Sequence, residues 1–304
     1  MKVLFVRSGN NGLDPISQNQ GESLMREGME VYYFDIIGKG FKGYIASYHR
    51  LQKKIQEVRP DVIHAHYSFS AYLASIASKK IPVVTSLMGS DVNTSSWLFR
   101  YLNIFFVRYI WKATIVKSSD MKKKLPQVKS VYLLPNGVDF GRFFPEEKVE
   151  VQQKLELNSN RINILFGADP EVEIKNYPLA QDALKMLDIE FDIHFLKGID
   201  RNAISDYYNA ADVLLLTSFS EGSPNVIKEA MACNCPIVAT DVGDIREVIG
   251  KTEGCFVTHF EAKEIADRLN EAINYGKRTK GRENIKYLDS SLIAKKLIEI
   301  YKTI

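Results

Sequence analysis

The sequence predicts an α/β protein of two domains, each a doubly wound parallel sheet with helices on both faces. Three observations carry that expectation. Short apolar runs alternate with amphipathic stretches along the whole chain, and strands separated by helices require parallel pairing through crossovers. The alternation halts at Pro135-Asn136-Gly137-Val138-Asp139 and Phe144-Pro145-Glu146-Glu147-Lys148, a turn followed by a charged segment, and then restarts. Charge changes sign there too: residues 1–145 hold 20 Lys and Arg against 10 Asp and Glu, and residues 146–304 hold 20 against 27, within a chain of net charge +3.

In order, the first half offers strands at 2–7, 31–36, 61–65, 82–87, 113–117 and 130–134, with helical patterns at 17–28, 44–58 and 69–78 between them. The second half offers strands at 162–167, 191–196, 213–216, 237–239 and 254–257. A final helix at 291–303 has no strand after it. The expected division is 1–143 and 144–287, with 288–304 returning as a helix to the first domain. Ligands of open parallel sheets bind outside the carboxyl ends of the strands, so the loops expected to face a cleft between the domains hold the candidate site.

Composition narrows the class. Hydrophobic residues make up 45% of the chain and charged residues 25%, ordinary for a globular protein and unlike a disordered or disulfide-framework chain. The longest apolar stretch, 97–113, is interrupted by Arg100, Arg108 and Lys112, short of the roughly 20 apolar residues of a membrane span. The opening Met1-Lys2-Val3-Leu4-Phe5-Val6-Arg7 reads as a buried strand rather than a signal peptide, which predicts a cytoplasmic chain. Cys233, Cys235 and Cys255 lack metal-ligand spacing and read as buried free thiols.

The richest stretch for chemistry is 212–229. A buried strand ends in Ser218-Phe219-Ser220-Glu221-Gly222-Ser223-Pro224-Asn225. Ser223 suits an N-cap and Pro224 the first position of a helix running to Cys233. The N–H groups at such a helix start favour a diphosphate. Glu221 precedes the helix and Glu229 lies inside it, and each carboxylate can accept hydrogen bonds from sugar or ribose hydroxyls. Otherwise Glu221 is a solvated loop residue and Glu229 a surface charge.

The run Tyr208-Asn209-Ala210-Ala211-Asp212 through Glu221-Gly222-Ser223-Pro224-Asn225-Val226-Ile227-Lys228-Glu229-Ala230-Met231-Ala232-Cys233 resembles the signature of glycosyltransferase family 4, a Glu followed after seven residues by a second Glu. Pro236 to Asp244 with Glu247, Pro135 to Asp139 with Phe143, Pro60 to His66, and Gly89-Ser90-Asp91 also fit. The resemblance implies a GT-B fold of two Rossmann-like domains and a retaining, nucleotide-sugar-dependent enzyme. It implies donor binding by the second domain, acceptor binding by the first, Glu221 on the transferred sugar and Glu229 on the nucleotide ribose. Gly167, Gly222, Ser223, Pro224 and Asn225 would border the donor. Lys175 is the candidate for the family's diphosphate-neutralising lysine.

The chain departs from the family at three places. Ala168 stands where an Arg usually follows Gly167, Met88 stands where a His precedes the Gly of the acceptor loop, and one strand, 191–196, replaces two strand-helix units. On the acceptor side the candidates are Asp91, as a base or as an N-cap, and one of His64 and His66, taken to point to opposite faces, with His66 nearer the strand end. The loop Ser8-Gly9-Asn10-Asn11-Gly12 supplies Asn11 and Gly12.

The expected reaction is sugar transfer from a nucleotide diphosphate sugar, UDP- or GDP-type, to a hydroxyl acceptor, a glycan or lipid-linked glycan, in surface polysaccharide or glycoconjugate synthesis. No metal and no separate cofactor are expected, and no nucleic acid. The alternatives are a non-catalytic nucleotide-sugar-binding or partner subunit, or a sugar-nucleotide hydrolase or epimerase. The basic first half, with Arg100, Arg108, Lys112 and Lys122-Lys123-Lys124, suggests peripheral attachment to an anionic membrane surface.

Overall fold

The structure is a computed structural model. It describes residues 1–9, 14–38, 40–78, 80–93 and 96–304, with the backbone only for Gly40 and Phe41. The chain divides into two units, Met1–Gly137 with Ser290–Ile304, and Val138–Asp289. The division thus falls at residue 137 rather than at 143, because Val138 already pairs with Asp289 at the far end of the second unit.

In the first unit the elements run β1 (Lys2–Ser8), α1 (Pro15–Arg26), β2 (Glu30–Ile36), α2 (Gly40–Val58), β3 (Val62–His66), α3 (Ser68–Ala77), β4 (Val83–Ser86), α4 (Trp97–Tyr109), β5 (Ala113–Val116), α5 (Ser119–Lys123) and β6 (Val131–Leu133). The sheet is parallel with order β2-β1-β3-β4-β5-β6. Its central strands are buried on both faces, as in the all-buried pattern of β3 and β4, which is why they read as unbroken apolar runs rather than alternating ones. Leu4, Val6, Ile63, Ala65 and Leu87 lie in the core beneath the helices.

In the second unit the elements run α6 (Lys148–Lys154), β7 (Ile162–Phe166), α7 (Tyr177–Leu184), β8 (Phe191–Phe195), α8 (Ile204–Ala210), β9 (Val213–Leu216), α9 (Asn225–Ala232), β10 (Ile237–Thr240), α10 (Ile245–Ile249), β11 (Cys255–Thr258), α11 (Ala262–Asn274) and α12 (Gly281–Asn284). The parallel sheet has order β11-β10-β9-β7-β8. The chain goes outward from β7 to β8, then returns to β9 on the other side. The carboxyl ends of β7 and β9 therefore flank the point where the winding direction reverses, the place where such sheets take ligands.

The last helix, α13 (Ser290–Lys302), belongs to the first unit and packs on α1. Its buried Tyr301 reaches the middle of that unit's sheet, with its hydroxyl 2.5 Å from Nδ1 of His64. Among the described residues no helix is long and apolar enough to cross a membrane.

Candidate active site

Three loops meet at the carboxyl ends of β7, β9 and β10. After β7, a short 3-10 turn at Glu173–Lys175 ends in Asn176, held left-handed at φ +51°. This turn is sewn to the end of β9: Thr217 Oγ1 donates to the Lys175 carbonyl at 3.1 Å and the Asn176 carbonyl at 2.9 Å, and the Phe219 amide donates to the Ile174 carbonyl at 2.9 Å. The outcome is that the Lys175 ammonium lies 2.6 Å from Glu221 Oε1. Both side chains remain partly accessible, at 26% and 14%, so a ligand can reach the pair.

The loop carrying Glu221 is fastened from below. Lys228, fully buried on α9, donates to Ser223 Oγ at 2.5 Å, and Ser223 Oγ donates to Asp244 Oδ2 at 2.5 Å. The ammonium stands 3.8 Å from Asp244 Oδ2. Burial lowers the Lys228 pKa and raises that of Asp244, and each charge opposes the other's shift. Gly243 completes the contact. It adopts φ +62°, and a Cβ there would stand 2.7 Å from the Gly222 carbonyl oxygen and 3.0 Å from that of Glu221. Only glycine fits both the conformation and the approach.

Ser223 is not the N-cap of α9. Pro224 occupies the cap position of α9, the helix begins at Asn225, and no side chain caps it. Ser223 is withdrawn from that role because its hydroxyl is held by Lys228 and Asp244. Gly167 closes β7 against the start of α9, where an added Cβ would stand 3.5 Å from Val226 Cγ2 and 3.1 Å from Leu214 Cδ1. Asn225 Oδ1 is buried and has no hydrogen-bond partner among the described residues.

Glu229 sits five residues into α9, and Tyr208 of α8 donates to its Oε2 at 2.8 Å. Burial raises the Glu229 carboxyl pKa, while the Tyr208 hydrogen bond and the charges of Arg142, Arg201 and Lys228 oppose the rise. The two helices are aligned by one guanidinium: Arg278 donates to the carbonyls of Tyr208 at 2.8 Å, Ala211 at 2.9 Å and Cys233 at 2.9 Å. A cation there also offsets the negative ends of both helices. Tyr208, Arg278 and the role of Lys228 were not singled out from the sequence. The only signal for Tyr208 and Lys228 was the motif that contains them, and Arg278 had none.

In the first unit the candidates take other roles. Asp91 is buried, and its Oδ2 accepts from the Ser68 amide at 3.2 Å while its Oδ1 accepts from the Met88 and Gly89 amides, each at 3.0 Å. It thus caps the start of α3 and closes the 88–91 turn, rather than capping α4. Burial raises its pKa against those three bonds. His64 and His66 are two residues apart and so share a face of β3, correcting the expectation of opposite faces. Their rings stack with centroids 4.6 Å apart. Both histidines are buried, His66 has neither ring nitrogen hydrogen-bonded among the described residues, and burial draws its pKa down to about 3. Asn11 and Gly12 lie outside the described residues. Cys233, Cys235 and Cys255 are free, the first two buried and the third partly so. Among the described residues, no group of His, Cys, Asp and Glu side chains could hold a metal ion.

Comparison with known proteins identifies the family and the fold. Residues 132–287 match the family model of glycosyl transferases group 1, and residues 16–142 that of glycosyltransferase family 4. A candidate teichuronic acid biosynthesis glycosyltransferase of Bacillus subtilis (strain 168), TuaC, is 29% identical over 242 residues, covering 71% of this chain and 62% of that protein. The chain therefore spans less than two thirds of that relative. Among solved structures, sucrose-phosphate synthase from Thermosynechococcus elongatus aligns with a TM-score of 0.82 at 16% identity, over 99% of this chain and 98% of the other. Anabaena HepE in complex with UDP and glucose aligns with a TM-score of 0.82 at 18% identity, over the full length of both chains. At these identities the structural likeness is one of fold, the GT-B fold of two Rossmann-like domains. With more than half of its length matched by the first family model, this chain belongs to the glycosyl transferases group 1.

Proposed function

We propose that this chain is a retaining glycosyltransferase that moves a sugar from a nucleotide diphosphate sugar to a hydroxyl acceptor in surface polysaccharide or glycoconjugate synthesis. The observation that carries the reading is the meeting of Lys175 and Glu221 at the switch point of the second unit's sheet, 2.6 Å apart and accessible. Glu229 would take the ribose hydroxyls of a UDP- or GDP-type donor, and the start of α9 with Gly167, Gly222 and Asn225 its diphosphate. A bound diphosphate would draw the Lys175 ammonium from Glu221 and leave the carboxylate for the hydroxyls of the transferred sugar. The anomeric carbon–phosphate oxygen bond breaks. The acceptor oxygen bonds the same carbon from the same face, and its proton passes to the departing diphosphate. Fixed positive charge on the leaving group and positioning then carry the rate. HepE, a neighbour in fold, is described with UDP and with UDP-glucose, which supports a nucleotide sugar as donor.

The first unit would bind the acceptor, a glycan or lipid-linked glycan presented at the inner membrane surface. Asp91 and His66 enter this reading only as supports of the acceptor-side loops, because the first is fully engaged and the second is buried and neutral. The test begins with thermal shifts against UDP, GDP and their sugars, since a ligand bound only to the folded state raises its stability. The stabilising donor is then assayed for transfer, and the anomeric configuration of the product is read by NMR. Retention, with Glu221→Gln lowering turnover more than nucleoside diphosphate affinity, is the expected result. Inversion, or turnover unchanged in Glu221→Gln, would refute it.

A further inference from the structure

The outward side of α4 is unusually apolar. Within the helix only Asn103 and Val107 are buried, while Trp97, Tyr101 and Tyr109 stand 70%, 67% and 68% exposed, with Leu98 and Phe105 beside them. Clustered aromatic exposure of this kind marks an interaction surface rather than the scatter found on any protein. Next to it, α2, α3 and α4 enclose an open groove of about 970 Å³ lined by Tyr44, Ile45, Phe69, Ile76, Leu102 and Phe106 among others. That volume lies near the upper end of the roughly 300–1,000 Å³ range of ligand pockets. Burial raises the pKa of Tyr44 and Tyr72 on its wall, in keeping with an apolar lining.

Charge identifies the partner. The helix α4 carries Arg100 and Arg108 and no carboxylate, α2 carries Lys42 near its start and α3 no charge, whereas Arg50, Lys53 and Lys54 lie with Asp35 and Glu57 in a separate pocket against β2. Apolar and aromatic residues flanked by arginine and lysine suit the boundary between headgroups and acyl chains, where Trp and Tyr rings are both solvated and buried. Lys124, just after α5, fits this surface less well, since it is held by Asp120 at 2.5 Å and by Asn93 at 2.9 Å.

We propose that the outer face of α4 and the groove between α2, α3 and α4 dock on the anionic phospholipid surface of a membrane, with an acyl chain seated in the groove. This deepens the membrane side of the function proposed above. It needs no donor, acceptor or turnover, so its failure leaves the donor-site reading standing, and the reverse also holds.

The test uses the full chain and vesicles of phosphatidylcholine with or without phosphatidylglycerol. Sedimentation should show binding to the mixed vesicles and not to phosphatidylcholine alone, and the binding should fall as salt screens the basic residues. Trp97 emission should shift to the blue on binding, and Trp97→Phe should abolish the shift, since Trp111 is already buried. Arg100→Glu with Arg108→Glu should lower binding more than tenfold. Ile45→Asp with Ile76→Asp should do likewise by placing charge at the groove mouth, and both side chains are exposed enough to change without loss of fold. Circular dichroism melts check that each variant remains folded. Phosphatidylglycerol with a photoactivatable acyl chain should label peptides of α2 and α4. Equal binding to neutral vesicles, no binding to anionic vesicles at low salt, or labelling confined to other segments would overturn the proposal. So would a dimer in solution that Phe105→Ser dissociates, because the face would then belong to a second copy of the chain.

Discussion

Replacing Lys228 by Met tests how the Glu221 loop is held. The ammonium is completely buried, and its removal strands the Asp244 carboxyl, itself 3% exposed, and takes a donor from Ser223. Breaking one side of a buried ion pair costs about 3–5 kcal/mol, because the remaining charge keeps its desolvation penalty. Asp244 already has its pKa raised by burial, so part of the loss is relieved by protonation, which places the expected cost near the lower bound, about 3 kcal/mol. Lys228→Met with Asp244→Asn removes the stranded charge and should recover more than half of the loss. Two units need not unfold as one transition, so the readout is hydrogen exchange of the β9 and α9 amides, which reports the second unit alone. A loss below about 1 kcal/mol, the scale of an ordinary substitution, or a double variant no better than the single one, would refute the view that this pair fastens the loop.

Lys175→Ala should slow transfer, with Lys175→Arg recovering only part of the rate, since the planar guanidinium differs in reach and geometry from the ammonium; rates equal to wild type in both would remove Lys175 from the site, and transfer should survive EDTA. Gly243→Ala should lower stability by about 1–2 kcal/mol from the left-handed backbone alone, and should also depress turnover by displacing the Glu221–Gly222 carbonyls; unchanged melting and turnover would contradict the close approach. Acid should weaken the first unit: a histidine held near pKa 3 when folded and at its ordinary value of 6.5 when unfolded binds its proton only on unfolding. That contribution to stability is full above pH 6.5 and shrinks as pH falls, by about 2 kcal/mol at pH 5. His66→Gln should flatten the slope of β3 amide protection between pH 7 and 5, and an unaltered slope would refute the assignment.

The strands were legible because buried parallel strands write themselves as apolar runs, Val213-Leu214-Leu215-Leu216 being the clearest. The two glutamates were legible because their spacing belongs to one loop and one helix. Contacts between distant segments were not. Arg278 reaches Tyr208 across seventy positions of sequence, and no local pattern announces it. Nothing local marks Lys228 as buried, because its partners Ser223 and Asp244 reach it only through the fold. The same tertiary contact overrode the local capping preference of Ser223, leaving Pro224 at the helix start. The histidines were misplaced by parity alone: positions two apart along a strand face the same way.

The central claim is that the second unit holds a nucleotide through Glu229, and calorimetric titration of UDP and GDP into the wild-type chain and into Glu229→Gln tests it most directly. Gln retains an acceptor for the Tyr208 hydroxyl, so the helix contact survives while the charge that would receive ribose hydroxyls is gone. One of the two nucleotides should bind the wild type, the substitution should cost about 1–3 kcal/mol of binding energy, and wild-type affinity should begin to fall on acidification above the ordinary carboxyl value of 4.5. Failure of both nucleotides to bind, or equal affinity in wild type and Glu229→Gln, would contradict the central claim.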